Sequence, residues 1–125
     1  MKDFYLFTSK KITAKDCFDA LSLEIKNVEM NSNSAICINN KLRSFLWFSD
    51  DTIDSFIFET PEALELFKKK VPIDNPYIID FETHRSVDLK RVITAIMKIC
   101  PELYIYDDDK FIGSAQEYLD KEFDY

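Results

Sequence analysis

At 125 residues with 46% hydrophobic side chains, the chain has the material for one domain with its own core. A single glycine and four prolines exclude low-complexity sequence and the glycine-rich loops that cradle phosphates. The net charge of −7 is concentrated at the end. Residues 102–125 hold eight acidic and two basic side chains, a field that repels nucleic acid and suits a basic protein partner.

Phe4 to Phe7 predicts a short aromatic strand. Thr13 then caps a helix over residues 13–25, with Asp16 three positions on in a capping box. Ala14, Cys17, Phe18, Leu21 and Ile25 make its buried stripe. From Val28 to Glu59 the period changes to that of strands. Polar clusters at 31–34, 39–41 and 49–51 separate Ala35–Ile38, Arg43–Phe48 and Ile53–Phe58, which predicts an antiparallel meander. Phe45, Leu46, Trp47 and Phe48 are apolar on both faces, so their strand is expected to be central. Thr60-Pro61 opens a second helix, over 61–70, and Lys68, Lys69 and Lys70 sit in its last turn, where the helix dipole favours cations.

A strand–helix–strand unit follows. Tyr77 to Phe81 is a strand, and Leu89, Val92, Ile93, Ile96 and Ile99 recur at helical steps over 87–100. Pro101 stops that helix, and Leu103 to Tyr106 is the next strand. The two strands are expected to lie parallel, joined by the helix crossing one face of the sheet. Asp107-Asp108-Asp109-Lys110 reads as a hairpin turn into Phe111-Ile112. Ser114 and Glu117 then form a capping box for a last helix, 115–122. The expected class is α+β, a mixed and mainly antiparallel sheet with about four helices, in a single domain spanning 1–125.

No catalytic or cofactor motif is present. Cys17, Cys37 and Cys100 form no CxxC pair and each lies in an apolar pattern, so buried reduced thiols in a cytoplasmic protein are expected. The N-terminal stretch is not a signal peptide, and no apolar run approaches membrane-spanning length. The single histidine, His84, follows the strand at 77–81, a location that would suit a general base, but a surface-turn histidine is the better reading. Asp107, Asp108 and Asp109 do not match a calcium loop, since position 5 would be Phe111 and position 12 Tyr118. No metal site is assigned to them. Asp80 and Glu82 alternate onto one face of their strand with Ile78. Paired carboxylates can do acid–base work, but the edge where that face meets solvent is the better reading.

Three segments carry a resemblance: FYLFTSKKITAKDCFDAL, IIDFETHRSVDLKRVITAIMKIC and LYIYDDDKFIGSAQEYL. Together they cover just under half of the chain. They resemble the small acidic immunity proteins of bacterial polymorphic-toxin and contact-dependent growth inhibition systems. The resemblance implies a cytoplasmic, non-enzymatic protein, without cofactor, that neutralises one cognate toxin. Many such toxins are nucleases with basic clefts. From charge and aromatic content, Asp107, Asp108, Asp109, Glu117 and Asp120, with Tyr104 and Tyr106, are expected to form much of the partner surface, extended by Asp50, Asp51 and Asp54. As turn residues, the three consecutive aspartates are expected to be neutralised without harm to folding. An adaptor domain with an acidic recognition face is the alternative, and a small enzyme using His84 is the third reading.

Overall fold

The helix starts follow directly from local chemistry. In the computed structural model, the Asp16 N–H donates to Thr13 Oγ1 at 3.1 Å and the Thr13 N–H donates to Asp16 Oδ2 at 3.3 Å, so the expected capping box is formed. The Ala63 N–H donates to Thr60 Oγ1 at 3.1 Å, with Pro61 as the first helical residue. The Glu117 N–H donates to Ser114 Oγ at 3.1 Å, while the Glu117 carboxylate accepts from the Ser114 hydroxyl at 3.0 Å. That cap therefore uses the serine half of the box.

The structure describes residues 2–38, 44–52, 60–83, 86–107 and 111–121. The strands are β1 (Lys2–Thr8), β2 (Val28–Ser32), β3 (Ala35–Ile38), β4 (Ser44–Thr52), β5 (Tyr77–Thr83), β6 (Leu103–Asp107) and β7 (Phe111–Ser114). The helices are α1 (Ala14–Ser22), α2 (Pro61–Lys70), α3 (Ser86–Ile99) and α4 (Ala115–Asp120). The fold is α+β, a seven-stranded sheet in the order β2-β3-β4-β5-β1-β6-β7. The expected strand at Ile53–Phe58 lies outside the described residues.

Every pairing among the described strands is antiparallel. The unit β5–α3–β6 is present and its two strands run the same way, but they do not touch. Strand β1 lies between them and pairs antiparallel with both. The sheet is therefore not locally parallel, as the crossover had suggested. Sequence around residues 77–106 cannot reveal that a strand from the chain start is inserted there.

The two faces of the sheet are covered unequally. On one face α1, α3 and α4 pack over Phe4, Leu6, Ile36, Ile38, Leu46, Phe48, Ile79, Phe81, Leu103 and Ile105. Helix α3 has the longest buried stripe, Leu89, Val92, Ile93, Ala95 and Ile96. On the other face α2 contributes Phe67, with Val71 just beyond its end, against Phe7, and Tyr104, Tyr106, Ile78 and Ile112 close around them. The Phe7 and Phe67 rings meet at 4.8 Å, edge to face. Strand β1 is thus covered on both sides, which explains its unbroken Phe4-Tyr5-Leu6-Phe7 run.

Strand β4 departs from expectation in two ways. It is interior, between β3 and β5, yet covered on one side: Leu46 and Phe48 are buried, whereas Trp47 is 39% exposed. It also runs through Ser49-Asp50-Asp51, which had read as a turn. A register shift between Phe48 and Thr52 takes up these polar residues, and Thr52 still finds Tyr77 on β5.

A buried hydrogen-bond chain ties β4 and β5 to α3. The Ser44 hydroxyl donates to Asp88 Oδ2 at 3.0 Å and lies 2.7 Å from Thr83 Oγ1. Because the serine proton goes to Asp88, the threonine hydroxyl must be the donor to serine. All three side chains are essentially buried, so this chain holds the sheet to the helix start. The single glycine leaves room for a neighbouring ring. A Cβ at Gly113 would stand 3.0 Å from a ring carbon of Phe111.

Candidate functional site: a carboxyl cluster on the half-covered sheet face

The antiparallel registers set two rows of side chains across the face that α2 covers in part. One row runs Trp47, Asp80, Tyr5, Tyr106, Ile112 across β4, β5, β1, β6 and β7. The next runs Phe45, Glu82, Asp3 across β4, β5 and β1. Asp3 thus stands directly opposite Glu82, and Asp80 is the diagonal neighbour of Asp3. Carboxylate oxygens of Asp3, Asp80 and Glu82 all lie within 4.8 Å of one another.

Aromatic rings flank the cluster. Phe45 and Trp47 stack on one side, with centroids 5.5 Å apart and planes 20° from parallel. Tyr5 and Tyr106 meet on the other side at 6.4 Å, edge to face. The Tyr5 hydroxyl donates to Asp3 Oδ2 at 3.5 Å. Among the described residues, no ion pair reaches any of the three carboxyl groups. Oδ1 of Asp3 and Oδ1 of Asp80 are both sealed from solvent with no hydrogen-bond donor beside them among those residues.

The electrostatic consequence falls on Asp80. Burial, then a hydrogen bond with Asp3, then the charges of Asp3 and Glu82 push its carboxyl from the usual 3.8 up to about 8. Two ionised carboxylates cannot donate to each other. A proton on Asp80 provides the missing donor, as in carboxyl pairs that share one proton. Like charges placed opposite each other weaken a strand pair. An arrangement that costs stability at the centre of a sheet is the kind of local inconsistency found at functional positions. An all-oxygen donor set of this kind suits hard cations, and equally the ammonium or guanidinium of a basic side chain.

Of the residues expected from sequence to form a partner surface, those whose side chains are described do not share one face. Tyr104 and Tyr106 do share one face, beside α2. Glu117 and Asp120 lie on α4, exposed, but α4 packs through Ala115 and Tyr118 on the opposite face of the sheet. Asp107 is wholly buried at the end of β6, where its Oδ2 accepts from the Tyr118 hydroxyl at 3.2 Å. It belongs to no surface, because alternation along β6 turns it inward with Leu103 and Ile105. Asp108, Asp109, Asp54 and His84 lie outside the described residues. Asp50 and Asp51 fall within β4.

The expectation that Asp107 is a solvated turn residue is thereby corrected, and a stability prediction replaces it. Asp107→Ala removes the acceptor of a buried hydrogen bond and should cost about 1–3 kcal/mol in urea unfolding. A solvated turn aspartate would change stability by no more than about 0.5 kcal/mol.

Asp80 and Glu82 were visible in the sequence as a pair on one strand face. Asp3 was not associated with them, because a register linking residues 3 and 82 leaves no local trace. Cys17, Cys37 and Cys100 are buried free thiols, as expected. Burial, with the Asp16 charge second, pushes the Cys17 thiol up to about 12, so it is unreactive at neutral pH. No helix among the described residues is long and apolar enough to cross a membrane. Comparison with protein-family models, with curated proteins and with solved structures returned no match.

Proposed function

We propose that the chain is a non-enzymatic binding protein of the immunity type, which neutralises a cognate toxin by taking a basic domain of it against the half-covered sheet face. The observation that carries this reading is the carboxyl cluster Asp3–Asp80–Glu82, set between the Phe45–Trp47 stack and the Tyr5–Tyr106 pair. A lysine or arginine entering between these rings meets carboxyl oxygens below and aromatic edges on both sides. Such a site combines charge pairing with rigid contact area, the composition of strong interface positions. Cytoplasmic residence and a nuclease-like target belong to the same proposal, which draws on the resemblance of the three sequence segments and on the acidic balance of the chain.

The test is a binding titration against the product of the neighbouring gene, at low and physiological salt. Three forms are compared with the wild type: Trp47→Ala, Glu82→Lys, and Glu117→Lys combined with Asp120→Lys. The first two should weaken binding by on the order of 2 kcal/mol. The α4 double variant should change mainly the rate and salt dependence of association. Loss of binding through the α4 variant, with full affinity kept by the sheet variants, would move the interface to the helical side. A partner that is basic but not a toxin would favour the adaptor reading.

A further inference from the structure

The carboxyl cluster also bears on the behaviour of the isolated chain. We propose that Asp3 and Asp80 share one proton across the β1–β5 pairing at neutral pH, which makes this contact a pH-sensitive catch in the centre of the sheet. The geometry is the basis. Asp3 and Glu82 are directly opposed, Asp80 is their neighbour, and the oxygens of all three lie within 4.8 Å of one another. The sealed Oδ1 atoms of Asp3 and Asp80 need a donor that two ionised groups cannot supply.

Among the described residues, the surroundings do not relieve the cluster. From β4 the neighbours are Phe45 and Trp47, which do not titrate. From β1 they are Asp3 and Tyr5, and from β5 itself Glu82. Tyr106 on β6 stands beyond Tyr5. Helix α2 packs at the Ile78 end, and its charged residues, Glu62, Glu65 and Lys68 to Lys70, are exposed. Among the described residues no cation pairs with the three carboxyls. Among the described residues, protonation is the way that remains to remove the repulsion.

The sign of the pH dependence follows. In the unfolded chain Asp80 loses its proton near 3.8, and in the fold it keeps it up to about 8. Between these values the folded state binds more protons than the unfolded one. The contribution of Asp80 to stability therefore falls as pH rises across that window, and the fall is complete above about 8. Losing the proton adds a negative charge beside Asp3 and Glu82 at the pairing of β1 with β5, and β1 is the strand that joins the two ends of the β5–α3–β6 unit.

Two measurements on the isolated chain decide the matter, and neither needs a partner. In urea unfolding from pH 5 to 9, the wild type should lose stability relative to Asp80→Asn. The ratio of their unfolding constants should change by close to tenfold per pH unit while the pH is well below the folded midpoint of Asp80, and level off above it. Carbon-detected NMR of the wild-type side-chain carboxyls should show Asp80 titrating with a midpoint above about pH 6. A midpoint below that, or parallel pH profiles for wild type and variant, overturns the shared proton. Failure of the toxin-binding reading would leave both measurements unaffected, so the two proposals fail separately.

Discussion

Phe4→Ala is expected to lower stability by about 3–5 kcal/mol, the range for deleting a buried aromatic ring. Phe4 is fully buried in β1, the strand that joins the two halves of the sheet. Its ring lies 6.2 Å from that of Phe81 on β5 and 6.3 Å, edge to face, from that of Tyr118 on α4. Tyr118 in turn donates to buried Asp107. The cavity would thus open where β1, β5 and α4 meet, and the polar pair behind it would lose its support. Against a typical total of about 5–15 kcal/mol for a domain, this is a large share. A urea melt measures it, with an unchanged slope showing that both end states are intact. A loss under about 1 kcal/mol would mean that β1 is not the covered central strand described here.

Ile96→Ala should cost about 2–5 kcal/mol for a related reason. Ile96 is fully buried on α3, next to Val92, Ile93 and Ala95, and α3 packs on both α1 and the sheet. The gap would be lined by side chains fixed on three separate elements, so it cannot close by moving one of them. Ile96→Val is the graded control and should cost about 0.5–1.5 kcal/mol. Equal costs for the two substitutions would show that the site collapses around the smaller residue.

Much of the fold is legible residue by residue. Thr13 with Asp16, Thr60 with Pro61, and Ser114 each satisfy orphan N–H groups of a helix they begin, and that chemistry is local. The apolar period of Leu89, Val92, Ile93 and Ile96 marks the buried stripe of α3. Alternation places Asp80 and Glu82 on one face of β5, and Tyr104 with Tyr106 on one face of β6. Alternation fails as a guide at Ser49-Asp50-Asp51, where the strand continues through a register shift. Turn-forming residues are compatible with such an irregularity as well as with a true turn.

The candidate site shows where local information stops. Face and period are properties of a single segment, because backbone geometry repeats every two or 3.6 residues. Neighbours across a sheet depend on which strands pair and in what register, and many pairings satisfy the same local pattern. Asp3 meets Glu82 because β1 enters between β5 and β6, an arrangement that buries Phe4 and Leu6 under α3 and α4 and Phe7 under α2. The same packing puts α4 on the opposite face from Tyr104 and Tyr106 and turns Asp107 into the core. Composition and pattern were sufficient for an acidic α+β domain with capped helices. The grouping of its acidic residues was decided by the tertiary packing, because the burial of apolar side chains selects strand order, and the carboxyl groups go where that order puts them.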